Sequence, residues 1–127
     1  MRAFKIEKAG TVESGTIEVK LEGQIGIEEA ARVSAFFEDL EKAGTTWVIV
    51  NLKGVDFIST AGVGALLYAV GGARKRGGDI VFAEPSPKTK AVFEFLDLHD
   101  FIVTTADTTG ALAAVKDLKT GARPKPK

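Results

Sequence analysis

The sequence predicts an α/β fold, a single-layer mixed and mostly parallel central sheet of about five strands with about four helices. Three observations lead there. Residues 47–52 (WVIVNL) and 80–83 (IVFA) are short, almost unbroken apolar runs, the pattern of strands buried on both faces by helices. The segments between and after them carry apolar residues at spacings of three and four, the period of helices with one buried face. Ahead of both, residues 4–6 and 16–22 alternate apolar and polar, the period of half-buried strands.

In chain order, Phe4 and Ile6 flank Lys5 and mark a short edge strand. Ser14-Gly15 signals a turn, after which Ile17, Val19 and Leu21 alternate with charged neighbours, so the two strands form a hairpin packed on one face. Residues 23–26 (GQIG) are read as a break. From Ile27 the residues Ala30, Val33, Phe37 and Leu40 trace a helix that Gly44 closes. The buried strand 47–52 follows, and residues 54–60 are read as a connection. A helix opening near Ala61 carries Leu66, Leu67, Val70 and Ala73 on its apolar face, and Gly77-Gly78 ends it. After the strand at 80–83, Pro87 stands where a first helical turn accepts proline, ahead of Val92, Phe93 and Leu96. Phe101-Ile102-Val103 reads as a last short strand, and Thr108 or Thr109 caps a final helix bearing Leu112, Val115 and Leu118. Strands alternating with helices imply parallel pairing through right-handed crossovers. Residues 1–119 form one domain, and residues 120–127, rich in Pro and Lys, form a flexible basic tail.

Composition removes several function classes. Lys plus Arg and Asp plus Glu both total 17, so the chain lacks the positive surplus that displaces counterions from nucleic-acid phosphates. Without cysteine there is no disulfide, thiolate nucleophile or Cys-based metal site, and one histidine, His99, makes no His cluster. No apolar run approaches the ~20 residues of a membrane span, and the N-terminal residues form no signal-peptide h-region. These features give the expectation of a cytoplasmic protein that binds neither nucleic acid nor membrane. No residue pattern asks for a cofactor.

The chemistry concentrates in Asp56-Phe57-Ile58-Ser59-Thr60-Ala61-Gly62-Val63-Gly64, between a central strand and a helix. In open α/β sheets, ligands and partners gather at this carboxyl edge. A hydroxyl at the helix start caps a free backbone N–H, so Ser59 or Thr60 is the N-cap. Gly62-Val63-Gly64 is followed by Ala65-Leu66-Leu67, which matches no phosphate-cradling motif. Close packing of the helix is the ordinary explanation of these glycines.

Taken together, Asn51-Leu52, Val55, Phe57-Ile58 and Gly62-Val63-Gly64 resemble the pattern of STAS domains, named for sulphate transporters and anti-sigma factor antagonists. Gly23, Gly77-Gly78 and Ser86-Pro87 leading to Phe93 and Leu96 extend the resemblance over Phe4 to Leu118. It implies a non-enzymatic module whose partner is an anti-sigma factor of serine-kinase type, with a phosphatase as a further partner. In stand-alone bacterial antagonists of this kind a hydroxyl residue opening the second helix is phosphorylated by the anti-sigma factor, and the modified form lets go. The resemblance puts Thr60 at the acceptor position, with Ser59 in reserve. It puts the docking face on Gly26, Ile58, Ser59, Thr60, Ala61, Gly62 and Val63. Two acidic neighbours frequent in the family are replaced here, by Ser59 before the acceptor and by Gly26 in the loop after the second strand. The alternative is a STAS scaffold subunit of a larger assembly, stressosome-like or lipid-transporting, without regulated phosphorylation.

Other conspicuous residues have ordinary readings. His99 lies between Asp97 and Asp100 in a loop, Trp47 heads a core strand, and Arg74-Lys75-Arg76 forms a solvated basic helix end. Phe36 stands one step off the buried stripe of the first helix, either exposed to a partner or tucked under a loop.

Overall fold

The structure, a computed structural model, describes residues 3–13 and 15–121. Ser14 of the expected turn and the last six residues of the expected tail lie outside the described residues. The elements are β1 (Lys5–Glu13), β2 (Thr16–Ile25), α1 (Ile27–Lys42), β3 (Trp47–Ile58), α2 (Thr60–Lys75), β4 (Asp79–Ala83), α3 (Pro87–Phe95), β5 (Val103–Thr105) and α4 (Thr108–Lys119). The five strands form one sheet in the order β1-β2-β3-β4-β5. The β1–β2 pair is antiparallel and the other three are parallel, as alternating strands and helices require.

Helices α1, α2 and α3 cover one face. There Val19, Leu21, Val50 and Leu52 meet Val33, Phe37, Leu66, Val70 and Phe93 in one buried cluster. On the opposite face α4 lays Ala111, Val115 and Leu118 over Ile49, Val81 and Ala83. All five residues of β4 are buried. This includes Asp79 at its start, whose carboxylate is tied to Arg74 at 3.1 Å.

Tertiary pairing corrects the sequence reading in several places. Residues 23–26 do not break the second strand, which runs on to Ile25. Gly23 takes φ +86°, a backbone that favours glycine, and the strand continues through it; the register shift that follows leaves the extra residue, Asp56, on β3. The expected connection at 54–60 is largely strand as well, because the prolonged β2 gives β3 a partner as far as Ile58. The last strand begins at Val103 and not at Phe101, whose N–H bonds the Leu98 carbonyl in a turn. Asp107, not Thr108 or Thr109, caps α4, its carboxylate accepting from Gly110 N at 2.7 Å. On α4 the buried set is Ala111, Val115 and Leu118, with Leu112 half-buried.

The basic helix end is solvated at Lys75 and Arg76, as expected, but both arginines are also engaged. Arg74 bonds Asp79 and donates to the Phe101 carbonyl at 2.8 Å, while Arg76 donates to the Thr45 carbonyl at 2.9 Å and pairs with Glu41 at 3.2 Å. Both arginines stitch the end of α2 to neighbouring loops. Phe36 is half-buried, edge-on to Phe37 at 5.9 Å between ring centroids. Trp47 packs half-buried against the α4-side core. His99 is an exposed loop residue, 3.5 Å from Asp97 and 3.8 Å from Asp100.

Candidate functional site

Strands β2 and β3 end side by side, Ile25 opposite Ile58, and each runs directly into a helix. Two helix N-termini therefore open at one corner of the sheet. The Ser59 N–H donates to the Ile25 carbonyl at 2.8 Å and locks the corners together. At the start of α1, Gly26 is the N-cap and has no side chain to offer, so Glu29 reaches back and accepts from the Gly26 N–H at 2.9 Å.

At the start of α2 the two hydroxyl residues divide their tasks. Ser59 is the N-cap, its Oγ accepting from the Gly62 N–H at 3.1 Å, and its carbonyl accepts the first helical bond from Val63 N at 2.9 Å. Thr60 is the first helical residue and is exposed, as is Ala61. The Thr60 hydroxyl has no hydrogen-bond partner among the described residues, and the N–H groups of Thr60 and Ala61 have no acceptor there. The first turn of α2 holds no acidic residue. The turn thus presents a free hydroxyl beside two unsatisfied donors at the positive end of a 16-residue helix.

The expected docking residues separate by depth. Thr60 and Ala61 face solvent and Gly26 and Ser59 are half-buried. Ile58, Gly62 and Val63 are buried and shape the turn from beneath. A Cβ on Gly62 would stand 2.8 Å from Ile25 Cγ2 and 2.9 Å from Ile58 Cγ1, so this glycine lets α2 press against both strand ends. Gly64 has open space at the same test and is exposed, so close packing explains Gly62 alone.

The residue reading missed the surface beside the turn. An apolar groove runs from Phe57, Ser59 and Thr60 to Ala91, Val92 and Phe95 of α3. Among the described residues Phe57 is 52% exposed and Phe95 88% exposed, large apolar side chains open to solvent. The signal was present in the sequence. Phe95 falls two residues from buried Phe93, off the apolar stripe of its helix, as Phe57 falls between buried Val55 and Ile58. Among the described residues no group of His, Asp or Glu is arranged to hold a metal ion, and no helix is long and apolar enough to cross a membrane.

The family model of the STAS domain matches residues 7–112, most of the chain and all of this corner. The chain belongs to the STAS domain family. An anti-sigma factor antagonist from Mycobacterium paratuberculosis has the same fold, with a TM-score of 0.77 at 18% identity over 89% of this chain and 96% of that one. The anti-sigma factor antagonist SpoIIAA in its unphosphorylated form superposes with a TM-score of 0.67 at 23% identity, over 90% of this chain and 98% of its own. The phosphorylated form of SpoIIAA, a Bacillus cell-fate determinant, gives 0.66 at 22% identity over 88% and 99%. At these identities the likeness establishes the STAS fold. Comparison with curated protein sequences gives no match.

Proposed function

We propose that this STAS domain is an anti-sigma factor antagonist, a non-enzymatic module of the cytoplasm that binds a serine-kinase-type anti-sigma factor and is switched by phosphorylation of Thr60. The observation that carries this reading is the division of the two hydroxyls, with Ser59 committed to capping and Thr60 exposed on the same turn. Thr60 Oγ1 attacks the γ-phosphorus of the partner's ATP, the hydroxyl proton passes to a base of the partner, and ADP leaves. The phosphothreonine adds a charge of roughly −1.5 to −2. With no acidic residue in the first turn, the open N–H groups of Thr60 and Ala61 and the helix dipole accommodate that charge within the chain. A protein docked over the turn and the Phe57–Phe95 groove must instead bury a dianion against an apolar surface. The partner is released while the fold is kept, and a phosphatase resets the switch.

Intact-mass measurement and phosphosite mapping of the protein from its native cells, with Thr60→Ala as control, test this. One phosphate on Thr60, absent from the variant, is the expected result. Phosphate on Ser59 instead moves the acceptor by one residue, and an unmodified chain across growth phases and stresses overturns the switch.

One observation favours the scaffold alternative. The acidic positions frequent beside the acceptor in this family are here the capping Ser59 and Gly26, so neither places a carboxylate beside Thr60. In that reading the same corner binds a partner constitutively, and affinity is unchanged by Thr60→Asp.

A further inference from the structure

The sheet splits at the site. Strands β3 and β4 pair only as far as Asn51 and Ala83, after which β3 continues to Ile58 joined to β2 alone. The chain leaves β4 through Glu84, held at φ +56°, and Pro85 into α3. Two side-chain bonds cross the gap. Asn51 Nδ2 donates to Glu84 Oε2 at 2.8 Å, and Ser86 Oγ donates to the Val55 carbonyl at 3.1 Å.

Ser86 is at the same time the N-cap of α3, accepting from the Thr89 N–H at 3.3 Å. Its Oγ also lies 3.1 Å from Thr89 Oγ1. Ser86 has one hydroxyl proton, and Val55 takes it, so the Thr89 hydroxyl is the donor in that contact. The serine oxygen then gives one hydrogen bond and accepts two, its full capacity. Thr89 and Val55 are each 1% exposed while Ser86 itself is half-buried, so its two partners are shielded from water. We infer that Ser86 is a positioning residue that latches α3 onto the unsupported end of β3, and so fixes the Thr60 turn and the groove beside it in one geometry. The latch is a property of this chain alone; its value to a docked partner rests on the function proposed above.

Amide hydrogen exchange followed by NMR on the full chain tests the latch without a partner, so its outcome is independent of the phosphosite mapping. Three variants separate the roles of the hydroxyl. Ser86→Ala removes cap and donor, and Ser86→Asp keeps a capping acceptor but has no proton for Val55. Ser86→Thr keeps both. The amides of Ser59 and Val63, measured relative to Val81 and Phe82 of β4 to remove any global change, are expected to exchange about tenfold or more faster in the Ala and Asp variants. In the Thr variant they match the parent, and Thr89 stays protected in the Asp variant. Ser59 and Val63 changing only in step with β4 in all variants would overturn the inference. An Asp variant indistinguishable from the parent would also overturn it, by reducing Ser86 to a helix cap.

Discussion

Gly62→Ala and Gly64→Ala make the same chemical change two residues apart in the first turns of α2, and the structure predicts opposite signs. In a helix interior, alanine is favoured over glycine by about 1 kcal/mol because less backbone freedom is lost. At Gly64 that term acts alone, since an added Cβ meets nothing within 4 Å. A gain of about 0.5–1 kcal/mol is expected. At Gly62 the Cβ meets Ile25 Cγ2 at 2.8 Å, Ile58 Cγ1 at 2.9 Å and the Ile25 carbonyl at 3.2 Å. Neither isoleucine has room to yield, being 0% and 3% exposed, and the Ile25 carbonyl is held by Ser59. Overpacking of this kind costs roughly 1–3 kcal/mol, enough to exceed the propensity gain. The net expectation is a loss of up to about 2 kcal/mol, against a gain at Gly64. Urea denaturation measures both changes, as does thermal melting at roughly 3–5 °C per kcal/mol for a chain of this size. A Gly62→Ala protein stabilised as much as Gly64→Ala would show that α2 does not press on the two strand ends.

The remaining predictions concern the supports of the same corner and its exposed surface. Ser59→Ala loses a helix cap and is expected to cost about 1 kcal/mol in chemical denaturation, while Ser59→Asp restores most of it because a carboxylate accepts from Gly62 N equally well. Arg74→Ala leaves the Asp79 carboxylate buried without its guanidinium and frees the Phe101 carbonyl. It is expected to cost about 3 kcal/mol by the same assay, and a loss below ~1 kcal/mol would show that the pair is not holding α2 to β4. Phe95→Ser removes the most exposed aromatic side chain of the groove, so the melting temperature should hold while binding to the proposed anti-sigma partner, measured by calorimetry, weakens tenfold or more. Retained affinity would place the docking surface elsewhere.

Local chemistry determined much of this protein. The unbroken apolar runs, the helical periods between them and the leading alternation gave five strands and four helices in their observed order, because burial on one or two faces imposes those periods on any chain that forms this sheet. The ordered motif around Gly62-Val63-Gly64 led to the STAS family for a related reason, at least at Gly62, where only a residue without a Cβ fits. Element ends were less legible. Residues 23–25 and 54–58 carry glycines and polar residues that read as turns, yet each stretch becomes strand because the other pairs with it, and no local property records a partner more than thirty residues away. The arginines after Ala73 looked like solvated charge for the same reason, since their acceptors lie in loops brought to them by the sheet. The sequence named both hydroxyls of the proposed switch. Only the fold decided that Ser59 turns inward to cap and Thr60 faces solvent, because that depends on the direction in which β3 enters α2 beside the end of β2.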